Sequence, residues 1–127
     1  MINIAIIENN NFYRESLKTA LNQIDGFNVV FDIDNIASFL DFMEEDCFQI
    51  ILIDSSNYQA ESTKKMLQLY PKATILILSN YTENYFFEPQ IDGISFGFIP
   101  KCSAKNVFEQ KIRESLNPCT ISKLQIN

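Results

Sequence analysis

Four apolar runs in this chain each end in a residue that could do chemistry. "INIAII" (2–7) runs into Glu8 and then three amides, Asn9, Asn10 and Asn11. "IILI" (50–53) runs into Asp54, followed by Ser55, Ser56 and Asn57. "TILIL" (74–78) is followed by Ser79, and "SFGFI" (95–99) by Pro100 and Lys101. Carboxylates and amide oxygens accept hydrogen bonds or ligate cations, a hydroxyl donates and accepts, and lysine supplies a positive charge. Taken singly, each has an ordinary explanation. Asp54 can open a turn, Glu8 can end a strand in solvent, Ser79 can satisfy a backbone donor and Lys101 can sit on a surface. Their recurrence at the same place in successive runs favours a shared site.

The elements that would carry them alternate. The runs 2–7, 50–53 and 74–78 are short, continuous and β-branched, as in strands buried on both faces, and 95–99 follows as a fifth strand. "FNVVFDI" (27–33) alternates like a half-exposed strand. Between the strands the period changes. Leu17, Ala20, Leu21 and Ile24 share one side of a helix over 12–24 that Gly26 ends. Ile36, Phe39, Leu40 and Met43 share a face of a second helix, capped by Asp34 or Asn35. A third helix stops before Pro71, a fourth spans about 83–92 around Pro89, and a last one, capped by Ser103, carries Ala104, Val107, Phe108, Ile112 and Leu116 inward. Strands alternating with helices of this length imply βαβ units and a parallel sheet. In an open parallel sheet, ligands bind beyond the carboxyl ends of the strands, so Glu8, Asn9, Asp54, Ser79 and Lys101 converge on one rim.

Composition narrows the function. The chain has 127 residues, 46% of them hydrophobic, a globular composition of single-domain size. A net charge of -6 argues against holding a phosphate backbone. No apolar stretch approaches the ~20 residues of a membrane span, and "MINIAIIE" lacks the features of a signal peptide. The three cysteines, Cys47, Cys102 and Cys119, have no metal or redox spacing and are expected to stay reduced in the cytoplasm. The chain has no histidine, which excludes a Ser-His-Asp or Cys-His system and any histidine-ligated metal.

In order, "INIAIIENNNFYRESL", "FQIILIDSS", "ATILILSNY" and "GISFGFIPK" resemble the receiver domain of bacterial two-component response regulators, over residues 2–116. Through "NFYRESL" the likeness is greatest to receivers of the transcription-factor class. The resemblance implies an α/β, flavodoxin-like (βα)5 doubly wound parallel sheet of strand order 2-1-3-4-5, with a receiver domain over 1–116 and a tail or linker start over 117–127. It implies that Asp54 takes a phosphoryl group from the histidine of a kinase or phosphotransfer protein. Ser79 would contact the phosphoryl oxygens, Lys101 would pair with acceptor and phosphate, and Phe98 would turn inward as the aromatic switch when Ser79 moves. Mg²⁺ would lie on Glu8, Asn9, Asp54 and the carbonyl of Ser56. The developing phosphoryl charge does need a fixed cation and aligned donors. Such a chain is a signalling domain in the cytoplasm rather than an enzyme, its catalysis limited to its own phosphorylation and dephosphorylation.

The chain departs from that pattern. The family usually places two acids after the first strand, and here the second position is Asn9. At ~4 Å one unit charge is worth on the order of 1 kcal/mol in water and ~4 at an effective dielectric of 20. Metal affinity should therefore fall about tenfold to several hundredfold. The loop after Asp54, "SSNYQAES", is short, which bears on the Ser56 carbonyl and on access for a kinase histidine. Asn80 is larger than the usual neighbour of the hydroxyl residue. Tyr81, Tyr85, Phe86 and Phe87 are too many aromatics for one inward stripe: either some form a dimer or partner surface with strand five and helix five, or they fill space around a short, irregular helix. Three readings follow: a phosphoacceptor receiver, a degenerate pseudo-receiver that binds partners without phosphate, and a flavodoxin-like cofactor binder. The last is disfavoured because no Gly-rich loop follows the first strand.

Overall fold

The computed structural model describes residues 1–42, 47–80, 90–91, 94–95 and 97–117. The chain runs β1 (Ile2–Ile7), α1 (Asn11–Asn22), β2 (Phe27–Ile33), α2 (Ile36–Phe42), β3 (Ile50–Asp54), α3 (Ala60–Leu69), β4 (Thr74–Ser79), β5 (Gln90–Ile91), β6 (Ile94–Ser95), β7 (Gly97–Pro100) and α4 (Lys105–Ser115). Five strands form one parallel sheet in the order β2-β1-β3-β4-β7, the flavodoxin-like 2-1-3-4-5 arrangement with β7 as its fifth strand.

The continuous apolar runs follow from this placement. Successive side chains in a strand point to opposite faces, so a strand covered on both sides needs apolar residues at every position. Ile4 and Ile6 of β1 join Ile50 and Leu52 of β3 and Leu76 and Leu78 of β4 beneath α1 and α4, with Leu17, Leu21, Phe108 and Ile112. Ala5 and Ile7 join Ile51, Ile53, Ile75 and Ile77 on the opposite face, under α2 and α3, with Ile36, Phe39 and Met66. Phe39, Phe48 and Tyr70 pack there with ring centroids 5.6 to 5.8 Å apart. Each fully buried Ile or Leu contributes roughly 1.5–3 kcal/mol, so the two layers hold the sheet rigid and fix where its strands end.

The termini of the elements differ from expectation in four places. α1 starts at Asn11, because Asn10 caps it by accepting from the Tyr13 N–H at 2.9 Å, and it ends at Asn22. Gly26 lies beyond that end, at φ 84° in the turn into β2, where its carbonyl accepts from the Ile2 N–H at 2.6 Å. Ser103 does not cap the last helix: α4 begins one residue too late for that, with Ala104 at the cap position and no side-chain cap. The fifth strand is 97–100 rather than 95–99, because Ile94–Ser95 turns back on Gln90–Ile91 as a small antiparallel pair. Those two residues therefore leave the helix expected over 83–92. The rest of that helix to residue 89, with Tyr81, Tyr85, Phe86 and Phe87, lies outside the described residues, as do Met43, Cys119 and the tail from 118. Of the two candidate caps for α2, Asn35 does the work, accepting from the Ser38 N–H at 2.8 Å.

Candidate functional site

The carboxyl end of β1 is tied down before any side chain reaches the rim. The Glu8 N–H donates to the Ile33 carbonyl at 2.9 Å, and the Glu8 carbonyl accepts from Arg14 Nη1 at 2.6 Å. Arg14 also donates through Nε to Asp32 at 3.1 Å, where Lys18 approaches the other carboxylate oxygen at 3.1 Å. The three amides have three different positions. Asn10 caps α1, Asn11 accepts from Arg14 Nη2 at 2.8 Å, and Asn9 is exposed on the rim.

Glu8 turns its side chain inward and is 1% exposed. Its Oε2 accepts from the Asn10 N–H at 2.8 Å, and its Oε1 lies 2.7 Å from Lys101 Nζ. Asp54 is the last residue of β3 and is 2% exposed. Its Oδ1 lies 2.8 Å from the same Lys101 Nζ, while its Oδ2 accepts from the Ser56 hydroxyl. Ser55–Asn57 form a single 3₁₀ turn, and Asn57 Nδ2 anchors it to the Asp34 carbonyl at 3.2 Å. One ammonium thus joins two buried carboxylates 46 positions apart along the chain, brought together because their strands run the same way.

Lys101 follows β7. Its N–H donates to the Ser79 carbonyl at 2.7 Å, which continues the β4–β7 ladder one step past Ser79 and Pro100. Ser79 is half-buried at the end of β4, so it borders Lys101 through the backbone. Phe98 stands opposite Ile77 on β7, half-buried against the α2–α3 face of the core.

Two residues that sequence reasoning missed complete the site. The Tyr13 hydroxyl donates to the Lys101 carbonyl at 3.0 Å, and its ring centre is 5.2 Å from Lys101 Nζ. Tyr13 stands one helical turn before Leu17, so an aromatic on the inner face of α1 next to the acid at the strand end was the available signal. Arg14 was the other, its partner Asp32 being a charge near the end of β2. Burial pulls the Lys101 pKa down, but the hydrogen bonds and charges of Asp54 and Glu8 outweigh it and the net shift is upward. Burial first, and then the charges of Glu8, Cys102 and Asp54, push the Tyr13 phenol well above its ordinary value. Both groups therefore keep their protons at neutral pH.

As a metal site the donor set is lean. Among the described residues no three acidic, cysteine or histidine side chains come together as a ligand cluster. Glu8 and Asp54 do offer oxygens at one rim, beside the exposed Asn9, and these suit a hard cation in kind. The Lys101 ammonium already offsets part of their charge.

No family model matches the chain, and neither does any curated protein. Solved structures do. RcsB from Salmonella enterica serovar Typhimurium, bound to promoter rprA in the presence of phosphomimetic BeF3⁻, superposes with a TM-score of 0.72 at 14% identity, over 91% of this chain and 62% of that one. This chain has the receiver fold. A response regulator from Thermotoga maritima gives 0.72 at 14% identity over 91% of this chain and 97% of that chain. A chain from the complex of the phosphorylated P1 domain of CheA3 with CheY6 from R. sphaeroides gives 0.67 at 16%, over 91% and 98%. The chain spans less than two thirds of the RcsB chain it matches, and no helix among its described residues is long and apolar enough to cross a membrane.

Proposed function

We propose that the chain is a response-regulator receiver that accepts a phosphoryl group on Asp54. The observation that carries this reading is the Lys101 ammonium, 2.8 Å from Asp54 and 2.7 Å from Glu8 at the carboxyl ends of the strands. A carboxylate oxygen of Asp54 attacks phosphorus, and the bond to the donor's histidine nitrogen or acyl oxygen breaks, with the leaving group departing on its own electron pair. Lys101 holds its charge beside the acceptor, the Ser56 hydroxyl leaves Oδ2 to free it for attack or for a new contact, and Ser79 at the adjoining strand end donates to the phosphoryl oxygens. Mg²⁺ would be held weakly by Glu8, Asp54, the Asn9 amide and the Ser56 carbonyl, and when bound it supplies charge neutralisation at the phosphoryl oxygens. Ser79 and Phe98, on adjacent strands, form the switch that alters a partner or dimer surface. The donor is a histidine kinase or phosphotransfer protein, and the setting is cytoplasmic signalling, with transcriptional control as the output of a longer protein.

A second reading, the pseudo-receiver that binds partners without phosphate, is favoured by one observation. Both Asp54 oxygens are already engaged, by Lys101 and by Ser56, on a side chain only 4% exposed. Intact mass after incubation with a small acyl-phosphate donor separates the two. A single phosphate adduct that requires Mg²⁺ and is lost in Asp54→Asn is expected. No adduct at high Mg²⁺, nor with candidate kinases, would leave the pseudo-receiver.

A further inference from the structure

We infer that Tyr13 is a positioning residue that fixes Lys101 between Glu8 and Asp54, an inference that rests on the phosphoacceptor reading for its effect on chemistry. A lysine side chain has four rotatable bonds and loses up to about 2 kcal/mol of rotamer freedom when ordered. Lys101 is also the first residue after its strand, followed by exposed Cys102 in a turn, so the sheet does not hold it from both sides. Three contacts replace the missing support. On one side its N–H donates to the Ser79 carbonyl at 2.7 Å. On the other its carbonyl accepts from the Tyr13 hydroxyl at 3.0 Å. Between these, its ammonium stands 5.2 Å from the Tyr13 ring centre, inside the range of a cation–π contact. One side chain therefore holds both the backbone and the charged tip of the same lysine, from a helix that Asn10 and Arg14 lock to the end of β1. Because burial and the neighbouring acids keep the phenol protonated, it stays a donor across the neutral range.

A space-filling role would look different. Tyr13 also packs on the edge of the core beneath α1, so loss of activity in one variant decides nothing. The test uses the full chain with Tyr13→Leu, which removes both contacts, and Tyr13→Phe, which keeps the ring and removes the tether to the carbonyl. Each is made with Lys101 intact and in Lys101→Met. The rate of Asp54 adduct formation from an acyl-phosphate donor is read by intact mass, and the ¹H–¹⁵N signal of the Lys101 ammonium is read by NMR. Tyr13→Leu is expected to slow adduct formation about tenfold, the size of one cation–π contact and one neutral hydrogen bond together, and Tyr13→Phe about threefold, the size of the hydrogen bond alone. Neither should slow Lys101→Met further, and the ammonium signal should broaden in Tyr13→Leu. Equal slowing in the Lys101→Met chain, or an unmoved ammonium signal in Tyr13→Leu, would overturn the inference. Absence of any adduct on the parent chain would overturn the phosphoacceptor reading instead, and the ammonium signal alone would then decide the positioning of Lys101.

Discussion

Lys101→Met should destabilise the fold more than a partly exposed lysine normally would. In the parent chain its ammonium is shared by Glu8 Oε1 at 2.7 Å and Asp54 Oδ1 at 2.8 Å, carboxylates whose side chains are 1% and 4% exposed, while Lys101 itself keeps 14%. Met has similar length and packing, so the change is mainly electrostatic: two buried negative charges lose their common cation. Removing one partner of a buried ion pair costs about 3–5 kcal/mol. The low end applies, because solvent reaching Lys101 screens the carboxylates as well, so a loss of about 3 kcal/mol is expected. For a domain of this size that is on the order of 10 °C in Tm, or a urea midpoint lower by roughly 1.5 M at an ordinary m-value. Urea unfolding at pH 7, followed by circular dichroism, measures it, with an unchanged m confirming a comparable denatured state. Adding Glu8→Gln removes one of the two stranded charges and should restore about half of the loss, a non-additivity that only shared contacts produce. A loss under about 1 kcal/mol, the range of a surface pair, would show that the ammonium does not bridge the two acids. Strict additivity with Glu8→Gln would refute the bridge by a second route.

Asn9→Asp should restore the missing charge at the rim. The expected result is a Mg²⁺ half-saturation for Asp54 adduct formation about tenfold to several hundredfold lower, and an unchanged half-saturation would remove Asn9 from the metal set. Alkaline pH should weaken the fold through two groups. The pKa values of Lys101 and Tyr13 are both raised on folding. The stability each contributes is therefore complete below its unfolded value, about 10 for both, and is lost as pH rises from there through the folded value. Urea midpoints should fall steeply between about pH 9.5 and 11 for the parent chain and less steeply for Tyr13→Phe, and parallel curves would refute the Tyr13 part.

The sheet was legible because burial on both faces leaves an unmistakable pattern. Ile50 to Ile53 cannot be apolar at four consecutive positions in a strand unless both faces are covered, and parallel pairing then places Glu8, Asp54 and Lys101 at one rim. What the pattern does not encode is what happens in the first turn beyond each strand. Asn10 and not a later residue caps α1, because its side-chain Oδ1 reaches the Tyr13 N–H, and that choice rests on local side-chain geometry rather than on hydrophobic period. Ser103 has the right chemistry for a cap and misses by one residue. The short pairing of Gln90–Ile91 with Ile94–Ser95 carries no periodicity at all. Tyr13 was hidden for a related reason. An aromatic on the inner face of a helix reads as core, and the second half of its role, a hydroxyl on the Lys101 carbonyl, comes from residues 88 apart.

The charge count at the rim sets how the two functional readings divide. Glu8, Asp54 and Lys101 sum to about −1 in the resting chain. On the phosphoacceptor reading, phosphorylation exchanges the carboxylate of Asp54 for a group carrying about −1.5 to −2, which adds up to one unit of negative charge within reach of Glu8. At ~4 Å and an effective dielectric of 20, that addition opposes the adduct by on the order of 4 kcal/mol. Lys101 cannot offset it twice, since its single ammonium already serves both acids, and Arg14, the nearby guanidinium, is spent on the Glu8 carbonyl, Asp32 and Asn11. The adduct therefore needs either a further cation at the rim or a Lys101 that leaves Glu8 to pair with the phosphoryl group alone. The first makes phosphorylation strongly dependent on Mg²⁺ concentration. The second makes it depend on Tyr13 keeping Lys101 beside Asp54 while the ammonium leaves Glu8.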